Sequence, residues 1–147
     1  MDDRKTCFFI GSRHATSHIQ PQLAEAVEKH ITEYCVTTFT VGHYGGFDSL
    51  VISVLKETKK QYPHIKLYLL APYALSQNRE TPEGFNGTFY PEGLERVPLR
   101  YAIVQANRHM IQHSDYLISY PGVGNSRRIV EYAQRLEKKG LIKVTLL

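Results

Sequence analysis

The sequence predicts an α/β fold: a Rossmann-like domain over residues 1–147, with about five mainly parallel strands and helices on both faces. Three observations carry this. Short apolar runs end in glycine or proline, stretches of helical length with apolar residues every three or four positions separate them, and the alternation recurs along the chain with one interruption at 73–97. Continuous apolar runs fit strands buried on both faces, and regular strand–helix alternation means βαβ units in a parallel sheet.

"KTCFFIG" (5–11) is the first such run. "PQLAEAVEKHITEY" (21–34) follows as a helix, with Leu23, Val27, His30 or Ile31 and Tyr34 on one side and Pro21 suited to the first turn. "VTTFTVG" (36–42) is β-branched and aromatic, the composition of a strand. "FDSLVISVLKETKKQY" (47–62) places Leu50, Val51, Val54, Leu55 and Thr58 on one helical face, and "IKLYLLAPY" (65–73) is a third strand. Residues 73–97 break the rhythm with Gly, Pro, Asn and Tyr, and a loop of that length in a compact domain is usually a functional lid or a disordered insertion. Its aromatics Phe85, Phe89 and Tyr90 argue for partial packing. Pro98 then opens a helix, "DYLISY" (115–120) is the fourth strand, a helix runs to near Gly140, and "LIKVTLL" is the fifth strand.

Composition narrows the function. With 42% hydrophobic and 22% charged residues the chain has the makeup of a folded globular protein. No apolar run approaches the ~20 residues of a membrane span, and "MDDRK" lacks a signal-peptide core, so a cytoplasmic protein is expected. Cys7 and Cys35 lack metal-ligand spacing and read as buried free thiols. The net charge of +4 suits an anionic partner. The basic residues are dispersed along the chain, however, and no reading motif accompanies them, so a small anion is expected rather than nucleic acid.

In open parallel sheets ligands bind beyond the carboxyl ends of the strands, where strand order reverses. The junctions "GSRHATSH" (11–18), "GHYGGFD" (42–48) and "PGVGNSRR" (121–128) therefore make up the candidate site. Gly11, Gly42, Gly45, Gly46, Gly122 and Gly124 allow backbone to approach a ligand, and helix-start amides favour phosphate. Ser12, Arg13 and His14 supply a hydroxyl, a bidentate cation and a hydrogen-bonding ring. Asn125 and Ser126 stand where a cap or a phosphate-binding hydroxyl is useful, with Arg127 beside them. His43 and Tyr44 flank the second junction, and Tyr44 or Tyr73 offers a ring to a base. His14, His18 and His43 lack any accompanying HxxxH or Cys–His pair, so no metal is expected; neither GxxxxGK[ST] nor GxGxxG is present, so no nucleotide cofactor is either.

The stretches "CFFIGSRHA", "FTVGHYGGFDSLV", "VPLRYAIVQANRHMIQHSDYLISY" and "PGVGNSRRIVEYA" resemble the SLOG superfamily over nearly the whole chain. That Rossmann-like group holds the DprA DNA-processing proteins and the LOG phosphoribohydrolases, and the nearest branch is the YpsA-like one. The resemblance implies a nucleotide or nucleotide-derived ligand on the glycine-rich strand ends, and self-association. LOG enzymes carry PGGxGTxxE, whose glutamate works with an upstream arginine to cleave an N-glycosidic bond. Pro121, Gly122 and Gly124 match that signature, Glu131 is the one carboxylate available to match the glutamate, and Arg100 or Arg108 would be the arginine. Glu131 lies seven residues after Gly124, where the LOG glutamate lies four after its last glycine. The difference sets Glu131 about 4.5 Å deeper along the helix.

Two carboxylates keep alternative readings. Glu131 is a general acid/base or ribose contact, or else a helical partner of Arg127 or Arg135. Asp48 is a ribose contact or catalytic group, or else a residue suited to a helix N-terminus. The expected function is binding of a nucleotide-derived signalling ligand. Its phosphate would rest on Gly122–Ser126 and the Gly45–Gly46 turn with Arg13 and Arg127 as counter-ions, and its base against Tyr44 or the 73–97 loop. The alternative is a nucleoside-monophosphate phosphoribohydrolase using Glu131 or Asp48, and DprA-like DNA binding is the third reading.

Overall fold

The structure, a computed structural model, describes residues 4–73, 81–122 and 124–147. One sheet of six parallel strands organises the described residues. Along the chain run β1 (Thr6–Gly11), α1 (Gln20–Thr32), β2 (Thr38–Val41), α2 (Gly46–Gln61), β3 (Lys66–Leu70), β4 (Gly87–Phe89), α3 (Leu99–Gln112), β5 (Tyr116–Tyr120), α4 (Asn125–Lys138) and β6 (Lys143–Leu146). Their order across the sheet is β4-β3-β2-β1-β5-β6, so strand order reverses between β1 and β5. The fold is α/β and Rossmann-like.

The central strand shows why these residues make a two-faced sheet. Side chains alternate across a strand, and all four of Cys7, Phe8, Phe9 and Ile10 are buried. Cys7 and Phe9 join the core shared with Leu23 and Val27 of α1 and Phe47, Val51 and Leu55 of α2. Phe8 and Ile10 join the opposite core, with Ala102, Ala106 and Met110 of α3 and Ile129, Val130 and Ala133 of α4. An amphipathic helix would be insoluble on its apolar face alone, and a strand apolar on both sides needs a helix on each. The two requirements are met together.

Two differences from the sequence reading have local causes. The stretch 73–97 contains a sixth strand, β4, at the sheet edge. Asn86 builds it: its N–H donates to the Leu67 carbonyl at 2.7 Å, and its Oδ1 accepts from the Leu67 N–H at 2.9 Å and from Lys59 Nζ at 2.7 Å. A side chain thus starts a ladder that three residues, one of them glycine, would not have signalled. Of the loop's aromatics, Phe85 packs against the first core, while Phe89 stacks on His109 with ring centroids 5.7 Å apart. Only Cys7 is buried; Cys35 is exposed, at φ 60, where the chain turns from α1 into β2.

Candidate functional site

The glycine-rich junctions after β1, β2 and β5 do meet, and they meet largely by packing on one another. Ser12 N–H donates to the Tyr120 carbonyl at 2.9 Å, carrying the β1–β5 pairing one residue past the strands. The next residues cross the start of α2. Gly46 N–H donates to the Arg13 carbonyl at 2.8 Å and Phe47 N–H to the Ser12 carbonyl at 3.1 Å. The first-turn amides of a helix have no intrahelical acceptors, so these carbonyls satisfy two of the orphan donors of α2. A Cβ at Gly46 would stand 2.4 Å from the Ala15 carbonyl oxygen, and one at Gly45, which also has φ 117, 2.7 Å from Arg13 Cα. A Cβ at Gly122 would meet Ser12 Oγ at 2.8 Å. The Gly45–Gly46 turn, which the sequence assigned to a phosphate, is therefore closed by the protein's own backbone.

Beside this knot a cavity of about 410 Å³ opens at the carboxyl ends of the strands. Its lining includes Gly11 at the end of β1, Ser12, Arg13 and His14 after it, Gly42 and Tyr44 between β2 and α2, and Asp48 in the first turn of α2. Leu70 and Pro72 follow from β3; Arg100, Ile103, Val104, Ala106 and Asn107 from α3; and Ser126 and Ile129 from α4. Mixed apolar walls with a few polar groups, in this size range, fit a small organic ligand.

Asp48 is the electrostatic focus. It is partly buried, its Oδ2 accepts the Tyr44 N–H at 3.0 Å, and the same oxygen lies 3.0 Å from where a Cβ on Gly42 would be. Burial pushes its carboxyl up to about 7, with the Tyr44 hydrogen bond opposing the rise. Arg13, His14 and Arg100 line the same cavity, and among the described residues no cation stands within ion-pair distance of the carboxylate.

At the start of α4, among the described residues, no side chain caps the helix and none lies within 4 Å of a Cβ built on Gly124. Gly124 takes φ 80 ahead of the first turn, and the Gly122 N–H reaches Ser126 Oγ at 3.3 Å. The side chain of Asn125 lies outside the described residues. Glu131 and Arg127 pair with each other across one helical turn at 3.5 Å, with side chains 54% and 67% exposed, and neither lines the cavity. Arg108 also stands outside it, stacked over Tyr132 at 5.5 Å from the ring centroid. Gly122 packs against Ser12, neither it nor Pro121 or Gly124 lines the cavity, and His43 packs its ring on Tyr44 at 4.2 Å.

The sequence reading pointed to Arg100 on α3 but missed the apolar wall beside it, Ile103, Val104 and Ala106. Arg100, Ile103 and Asn107 are three and four residues apart and thus share a helical face. Polar residues recurring on an otherwise apolar stripe were the available signal. Compared with protein-family models and with curated proteins, the chain matches none.

Proposed function

We propose that the protein binds a nucleotide or nucleotide-derived small molecule in the strand-end cavity, as a sensor, sponge or signalling partner of the SLOG type nearest the YpsA-like branch. The observation that carries this is the cavity itself: it lies beyond the carboxyl ends of β1, β2 and β3, beside the β1–β5 reversal, and its lining combines Arg13, Arg100 and Asn107 with apolar walls. Since the start of α2 is closed by Ser12 and Arg13, the phosphate goes to the start of α4, near Ser126, with Arg13 as counter-ion. The base and sugar then lie against Ile103, Val104 and Tyr44.

Hydrolysis is the second reading, and Asp48 favours it. A carboxyl pushed up to about 7 is protonated in about half of the molecules at neutral pH; that form passes its proton to a departing base nitrogen and takes one back from the water that attacks the ribose carbon. Glu131, tied to Arg127 on the outer surface, is not used in this scheme. On the SLOG reading the protein also self-associates, which light scattering tests.

Mass spectrometry of small molecules released on denaturation, with melting curves in the presence of nucleoside monophosphates, tests binding. Chromatography for free base after incubation tests hydrolysis. A copurified nucleotide or a raised melting temperature without free base supports binding alone. Free base that disappears in Asp48→Asn supports the enzyme. No release, no shift and no base defeats both.

A further inference from the structure

Part of the positive charge dispersed along the sequence is brought together by two helices. In α3 the formal charge comes from Arg100 and Arg108 with no acidic residue, and in α4 from Arg127, Arg128, Arg135 and Lys138 against Glu131 and Glu137. These two helices therefore carry a balance of +4, as large as the net charge of the whole chain. On the opposite face, α1 holds Lys29 against Glu25 and Glu28, and α2 holds Lys56, Lys59 and Lys60 against Asp48 and Glu57, which sums to zero. By the formal charge of its helices the α3–α4 layer is the more positive of the two, and a protonated Asp48 would raise the other only to +1.

Within the positive layer one group is preorganised. Arg108 of α3 and Arg135 of α4 both stack on Tyr132, at 5.5 and 5.8 Å from the ring centroid, and Gln112 Nε2 fixes the Tyr132 hydroxyl at 2.7 Å. Both arginines are exposed, and among the described residues neither has a carboxylate within ion-pair distance. Contact with the ring restrains each guanidinium group, so less side-chain entropy is lost when its forked N–H groups engage an anion.

We propose that the Arg108–Tyr132–Arg135 group on the α3–α4 face is a docking site for an acidic polypeptide segment of a partner protein. Tyrosine and arginine are the residues that most often dominate protein interfaces, and two fixed guanidinium forks suit two carboxylates. The surface fits a polynucleotide less well. Affinity for nucleic acid grows with the number of phosphates neutralised, whereas Glu131 and Glu137 interrupt the arginines of α4. The ring of Tyr132 is half-buried and already contacts two guanidinium groups, which makes it a poor stacking platform for a base.

The test is fluorescence anisotropy with a labelled peptide rich in Glu and Asp, titrated with the whole protein at several salt concentrations. Wild type is expected to bind, more weakly as salt rises, and Arg108→Glu/Arg135→Glu to lose roughly tenfold or more in affinity. Lys56→Glu/Lys60→Glu, the same charge change on the other layer, should lose only about twofold from long-range screening. Tyr132→Leu keeps both charges and should still weaken binding, because the guanidinium groups lose their support; this variant decides the matter should the charge reversal disturb folding. The proposal is overturned by an unbound peptide, by equal losses in the two charge-reversed pairs, or by an oligo-dT strand that binds more tightly than the peptide.

Discussion

Replacing Asp48 with asparagine changes how stability depends on pH, in a direction the structure fixes. An aspartate ordinarily titrates at 3.8, and in the folded protein burial pushes Asp48 up to about 7. The folded state therefore holds this proton through a pH range in which the unfolded chain has released it. A group whose folded value is raised contributes stability that is fully present below 3.8 and is lost as pH rises through about 7. The difference is about a thousandfold in proton affinity, or about 4 kcal/mol at 1.36 kcal/mol per pH unit. Water reaching the cavity screens the charge, so the realised loss is ~2–4 kcal/mol. Asparagine keeps an acceptor for the Tyr44 N–H and removes the titration. Urea unfolding at pH 5, 6.5 and 8 should show Asp48→Asn gaining on wild type at each step and exceeding it at pH 8. Parallel pH dependences for the two proteins would refute the argument, because they would mean that the carboxylate costs nothing where it lies.

Other outcomes follow from the same geometry. Gly46→Ala, with its Cβ driven against the Ala15 carbonyl, should cost ~2–3 kcal/mol in denaturant unfolding and open the 12–16 loop to proteolysis. His30 is buried, and burial lowers its pKa, so it folds as the neutral ring and its contribution is lost as pH falls below 6.5. A His30→Gln variant should accordingly lose less stability than wild type between pH 7 and 5 in the same unfolding assay. Glu131→Ala removes an exposed pair across one turn, so melting should change by less than ~0.5 kcal/mol and nucleotide binding should not change. Arg100→Ala should weaken any nucleotide bound in the cavity about tenfold by calorimetry, whereas Arg108→Ala should leave that affinity as it is.

Much of the fold was legible along the chain because it is written in local periods. "CFFIG" reads as a two-faced strand and "SLVISVLKE" as a helix with one apolar side, whatever lies elsewhere. The alternation of the two dictated a parallel sheet and placed the candidate site at its carboxyl edge, where Ser12, Arg13, His14, Gly42, Tyr44, Asp48 and Ser126 do line one cavity. What only the tertiary structure decided depends on partners distant in sequence. Asn86 starts a strand only because Leu67 presents a free edge. Gly46 and Gly122 look like room for a ligand until Ala15 and Ser12 are seen filling it. Arginines at 108 and 135 look dispersed until two helices bring them to one tyrosine. Hydrophobic periodicity is a property of neighbouring residues and survives in the bare sequence. Close approach, burial of a carboxyl and the summed field of a helix layer arise between segments, so they exist only once the chain has folded.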